Sequence, residues 1–212
     1  MAEDQFHSLA DVIADELFPE VDLALREGHH IDDLDLDQFT FLEDARPWLG
    51  DFYARYHCDL VRSQDGYFFL NPRGDRLGKR MLSPAEMLVG QTLCLLRLDP
   101  ATLRTAGRIE RIRVLEALDQ LLGAERLGKA LNPRRKRRSQ AVEEEEIRKA
   151  VEGAIRTLAR LGFVEVDKDF LRLRVSLSRF AEPVEPQEHP AEALAALIRS
   201  GQVKRPDSAE TS

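Results

Sequence analysis

Cysteine is scarce in this chain: Cys58 and Cys94 are the two present in 212 residues. They match no zinc or redox spacing, and both stand among apolar neighbours, so they read as small buried hydrophobes of a reduced compartment. Aromatic residues are few, at 7%, mostly Phe, with Trp48 alone of its kind. No apolar run approaches the roughly 18 residues of a membrane span. No charged, apolar and small-residue leader opens the chain, and the expectation is a cytoplasmic protein that neither leaves the cell nor enters a membrane. Catalytic signatures are missing as well. There is no P-loop, dinucleotide fingerprint, HExxH or paired-cysteine motif. Ser8, Ser83, His29 and His57 lack the neighbours of a nucleophile–base set. The segment HHIDDLDLD places Asp33, Asp35 and Asp37 like the first ligands of a calcium loop. However, Gln38 stands where the turn glycine belongs, and Asp44 where the bidentate Glu belongs. The reading is therefore no enzyme, no cofactor and no metal.

What the chain does have is charge, unevenly distributed. The net value of −7 hides three regimes. Residues 1–82 carry 8 basic and 18 acidic side chains, residues 83–180 carry 20 and 14, and residues 181–212 carry 3 and 6. The first part would repel phosphate and the middle part would attract it, so the two parts are expected to meet different partners.

The hydrophobic pattern predicts mainly helix with small hairpins. Leu9, Val12, Ile13 and Leu17 share a helical face. Pro19 restarts the chain as a second helix that stops at Gly28. His29 to Ile31 is a short link that fits a single β-bridge. One helix or two fill residues 35–57, with Trp48, Phe52 and Tyr56 repeating every fourth residue as one stripe. A hairpin follows, with strands at 58–63 and 67–71 around Asp65-Gly66. Apolar residues on both of its faces, including Phe68 and Phe69, mark it as covered on both sides, either as a dimer interface or as a buried wing. Ser83-Pro84 caps a new helix that is apolar nearly all round. Residues 109–122 and 124–131 read as further helix, and residues 142–161 as a strong one ending at Gly162. FVEVD and FLRLRVSL are two strands joined at Lys168-Asp169. The order of helices followed by a hairpin thus occurs twice, giving a first domain at 1–82 and a second at 83–180. A tail at 181–212 follows, with one short helix and a partly disordered end.

The helix at 142–161 carries the most informative surface. At 100° per residue, Ile147, Val151, Ala154, Leu158 and Leu161 gather on one side. Lys149, Arg156 and Arg160 gather on the other, spread over about 40°, with Gly153 beside them. A glycine inside a helix costs roughly 0.5–1 kcal/mol relative to alanine, and one use for it is to let a flat surface approach the main chain. The stripe fits a phosphate backbone or a solvated face of mixed charge, since Glu152 flanks it. Glu143 to Glu146 in the first turn complement the helix dipole. Arg134, Arg135, Lys136, Arg137 and Arg138 form a basic run next to this helix. It fits nucleic-acid contact, a solvated loop neutralised by the Glu run, or an acidic protein partner.

The stretches LFPEVDLALREGHHI, FYARYHCDLVRSQDGYFFLNPR, MLVGQTLCLLRLDP and LARLGF resemble the MukE family of accessory subunits in the bacterial condensin MukBEF. The likeness runs from about Leu17 to Pro100 and more loosely to Phe180; the remote MksE proteins share the architecture. The resemblance implies a kite-type protein with tandem winged-helix domains, the first of which builds a homodimer. It implies partnership with the kleisin MukF and, through the complex, with the SMC ATPase MukB. It also implies a nucleoid location, chromosome condensation and segregation without catalysis, and weak, non-specific DNA contact. Within LARLGF, Arg160 stands where the family has a basic residue, whereas Ala159 departs from an expected second one. The opposing class is a free-standing winged-helix transcription regulator, which the overall acidity disfavours.

Overall fold

The computed structural model describes residues 6–74, 77, 80–131, 140–182 and 189–200. Its chain divides into two units, Met1–Met81 and Leu82–Ser212, each with its own hydrophobic core.

In the first unit, Ser8 caps α1 (Leu9–Ala14) by accepting from the Asp11 N–H. Pro19 lies in the first turn of α2 (Phe18–Arg26), where a missing N–H costs nothing. Strand β1 (Ile31–Asp32) leads to α3 (Leu36–Ala54), a single helix that carries Pro47 inside it. Phe41, Leu42, Ala45, Leu49 and Tyr53 form its buried ridge. The hairpin is β2 (Cys58–Arg62) and β3 (Tyr67–Pro72). The sheet order is β1-β3-β2, all antiparallel, with Ile31 opposite Phe68. Gly66 supplies the positive φ of 91° that the hairpin turn requires. Alternation along β3 sends Phe68 and Leu70 into the core of this unit. Tyr67 and Phe69 occupy the other face and are buried too, with the His30 ring stacked 5.4 Å from Phe69.

The second unit opens with a full capping box on α4 (Pro84–Arg97): Ser83 accepts from the Glu86 N–H, and the Glu86 carboxylate accepts from the Ser83 N–H. Every residue from Met87 to Cys94 is buried, as a central helix requires. The chain continues through α5 (Pro100–Arg104), β4 (Arg108–Glu110), α6 (Ile112–Leu122) and α7 (Ala124–Leu131). Next come α8 (Gln140–Arg160), β5 (Val164–Asp167), β6 (Phe170–Leu173), a 3-10 helix at Val175–Phe180 and α9 (Pro190–Ser200). The second sheet repeats the order of the first, β4-β6-β5. The protein is thus mainly helical with two small antiparallel sheets.

Three expectations are corrected. Helix was expected from residue 109, but Arg108–Glu110 is a strand. Ala106 and Gly107, with φ of 50° and 78°, swing the chain out of α5, and the Leu173 N–H donates to the Gly107 carbonyl, aligning the segment with β6. The strand expected across FLRLRVSL stops at Leu173, opposite the first residue of β5. With no ladder beyond that point, the Arg174 N–H donates to the Phe163 carbonyl and the chain coils into the 3-10 helix. The helix expected to reach residue 57 ends at Ala54, so Tyr56 lies in the turn, where His57 takes a φ of 58°. The short helix expected near the C-terminus is α9, and its Leu194, Leu197 and Ile198 join the core of the second unit.

Candidate nucleic-acid interface

Helix α8 is fixed by its inner face. Val151, Ala154, Leu158 and Leu161 are buried as the stripe required, and Ile155 joins them, whereas Ile147 is only half-buried. That anchoring turns Lys149, Arg156 and Arg160 outward, and all three are exposed. Lys149 makes an ion pair with Glu145 at 3.4 Å, one turn back. Glu152, the acid flanking the stripe, is engaged by Arg111 from the segment between β4 and α6. The same guanidinium donates to the Lys168 carbonyl at 2.9 Å, and the Arg111 N–H donates to the Asp169 carbonyl at 2.8 Å. One arginine therefore ties the β5–β6 turn to α8 and neutralises the acid beside the basic stripe. Arg111 and Glu152 are 41 residues apart, and no local pattern announces the pair. The basic run Arg134, Arg135, Lys136, Arg137 and Arg138 lies outside the described residues.

The residues assigned to a dimer interface or buried wing fall into two groups. Phe68 and Phe69 are buried, at 0% and 8% exposure, and Phe68 belongs to the core of the first unit. Trp48 and Phe52 are half-buried on the flank of α3, and Tyr56 is exposed. Sequence reasoning missed what organises this flank. Arg26 Nε donates to both Asp22 oxygens at 2.8 Å, and its guanidinium carbon lies 4.7 Å from the Tyr56 ring centre, 5.7 Å from Tyr53 and 5.9 Å from Phe52. Burial works against the charge on Arg26, but the hydrogen bond and charge of Asp22 outweigh it and raise its pKa. Burial also pushes the Cys58 thiol up, as for an unreactive core cysteine.

Tyr53 completes the cluster by donating to Asp22 Oδ1 at 2.9 Å. Burial, then the Asp22 charge, raises this phenol far above the ordinary tyrosine range. The folded state therefore holds the proton more tightly than the unfolded chain does. The stabilisation is complete below about pH 10 and declines as pH rises beyond it. Tyr53→Phe is expected to cost about 1–2 kcal/mol near neutral pH. It should also flatten the alkaline loss of stability. Denaturant melts at neutral and alkaline pH check both, and an unchanged alkaline slope would contradict the role of this proton.

Among the described residues, no group of three or more His, Cys, Asp or Glu side chains could hold a metal ion. No described helix is long and apolar enough to cross a membrane.

Comparison with known proteins adds a family. The model of the MukE-like family matches residues 6–212. The chain is 36% identical over 204 residues to the chromosome partition protein MukE of Haemophilus ducreyi, covering 93% of this chain and 84% of that protein. It is 37% identical over 205 residues to the MukE of Mannheimia succiniciproducens, covering 94% and 84%. It is 36% identical over 198 residues to the MukE of Escherichia coli K12, covering 92% and 84%. A match that spans both sheets and both cores places this chain in the MukE-like family.

Proposed function

We propose that this chain is a non-enzymatic accessory subunit of a chromosome-partition complex of the MukBEF type. The observation that carries the reading is the family match across residues 6–212. In this reading each unit is a winged helix, because helix, short strand, helix and hairpin recur with the same strand order, β1-β3-β2 and β4-β6-β5. The first unit pairs with a second copy, and the chain holds the kleisin MukF and through it the SMC ATPase MukB. The second unit touches DNA weakly and without sequence preference through Lys149, Arg156 and Arg160, with the run from Arg134 to Arg138 beside them. The site is the nucleoid.

A mobility shift with the purified chain tests the DNA part. Binding should be feeble at physiological salt and fall steeply between about 50 and 200 mM. Tight, sequence-selective binding at physiological salt would instead identify a free-standing regulator. The dimer part is tested at Phe52. Phe52→Asp places a carboxylate beside Arg26, so the fold should persist while the dimer fraction in sedimentation falls. A variant as dimeric as the parent would remove the α3 flank from the contact.

A further inference from the structure

We propose that Arg111 is a positioning residue: it locks the turn of the β5–β6 hairpin to α8, so that hairpin tip and helix meet a partner as one rigid surface. This rests on the reading of α8 as the DNA-contacting helix and adds what holds helix and hairpin in register. Arg111 belongs to neither element. It stands between β4 and α6, 41 residues before Glu152 and 57 before Lys168.

Its polar contacts divide between the two elements. The Arg111 N–H donates to the Asp169 carbonyl at 2.8 Å, which extends the β4–β6 ladder by one rung. Nη1 donates to the Lys168 carbonyl at 2.9 Å, and Nη2 donates to the Glu152 carboxylate on α8. Lys168 has a φ of 44°, a conformation that a residue other than glycine keeps only where its surroundings impose it. The guanidinium supplies that hold, because its planar fork serves a carbonyl and a carboxylate at once. Arg108 secures the same turn from its flank, lying 4.0 Å over the Phe170 ring and 3.8 Å from the Asp167 carboxylate. Those contacts stay within the sheet, whereas Arg111 reaches across to α8. The first unit is built differently. Arg62 pairs with Glu43 of α3, but it belongs to the hairpin itself, and its other hydrogen bond, at 3.4 Å, goes to the carbonyl of the next residue, Ser63. That bridge joins two elements; the one at Arg111 joins three.

The test is amide hydrogen exchange of the full chain, read beside thermal melts and fluorescence anisotropy with a duplex oligonucleotide. Arg111→Lys keeps the charge but can serve only one of the two acceptors. It is expected to melt close to the parent, while the amides of residues 167–170 exchange on the order of tenfold faster. Duplex binding should weaken about threefold, since fewer molecules present the competent arrangement, with the salt slope unchanged because no charge is lost. Glu152→Ala cuts the bridge at its α8 end and should speed the same amides. Parent exchange in either variant would mean that the turn is held without α8 and would overturn the proposal. Faster exchange in Arg111→Lys with parent affinity would overturn it too, because the lock would then position nothing. The underlying reading fails separately: parent affinity in Arg156→Glu/Arg160→Glu would remove the α8 contact, and with it the surface being positioned, whatever the exchange shows.

Discussion

Replacing Gly90 by valine is expected to destabilise the second unit by about 3 kcal/mol and to lower its melting temperature by about 10 °C. A Cβ at Gly90 would lie 2.3 Å from Cε1 and Cζ of Phe180. The ring has little room to withdraw. Phe180 is 1% exposed and packs edge-on against Phe163, with ring centres 5.0 Å apart. Alanine would gain helix propensity of roughly 1 kcal/mol, which partly offsets the clash, so valine gives the cleaner reading. Pairing Gly90→Val with Phe180→Leu should recover part of the loss, because the smaller side chain vacates the contested volume. A Gly90→Val protein that melts with the parent would mean that α4 does not lie against the 3-10 helix as described.

Reversing Arg156 and Arg160 to glutamate is expected to weaken duplex binding on the order of a hundredfold at about 50 mM salt and to lower the salt slope by about two. Both side chains are exposed, and both project from a helix whose opposite face holds the core. Stability should therefore change little. Affinity is the sensitive quantity because each reversal removes a phosphate contact and adds repulsion. Unchanged binding, with the melting temperature preserved, would take the α8 stripe out of the DNA contact.

How much of this was legible in the residues differs from element to element. The capped start of α4 is written in Ser83, Pro84 and Glu86, and the first hairpin in Asp65-Gly66. The orientation of α8 follows from its apolar period alone, which is why the outward placement of Lys149, Arg156 and Arg160 could be expected in advance. Strand β4 was not legible as a strand, because three residues carry no period and its extended state comes from pairing with β6, whereas β1 could be read as a bridge at Ile31. The 3-10 helix escaped for the converse reason: its residues suit a strand, and only the end of the partner β5 stops them from forming one. The Arg26–Asp22–Tyr53 cluster and the Arg111–Glu152 bridge join residues from separate elements, and neither leaves a mark on local spacing. Tyr53 in particular sits beside the stripe of Trp48, Phe52 and Tyr56, yet it is the aromatic that is fully buried.

The repeated sheet order is set in surroundings of opposite charge. The same strand order is built in an acidic unit and in a basic one, although three helices separate β4 from β5 where one separates β1 from β2. In the first unit the hairpin cations Arg62 and Arg73 are held by Glu43 and Asp59. In the second unit Arg111 removes an acid from the α8 face. Each unit thus uses ion pairs to set the charge it presents.

The most direct test of the account is affinity purification of the full-length chain from its own cells, followed by identification of what elutes with it. The account predicts a kleisin and a large coiled-coil ATPase in the same fraction, retained at salt concentrations that strip nucleic acid. A chain that elutes with neither, while binding a defined DNA sequence tightly by itself, would contradict it.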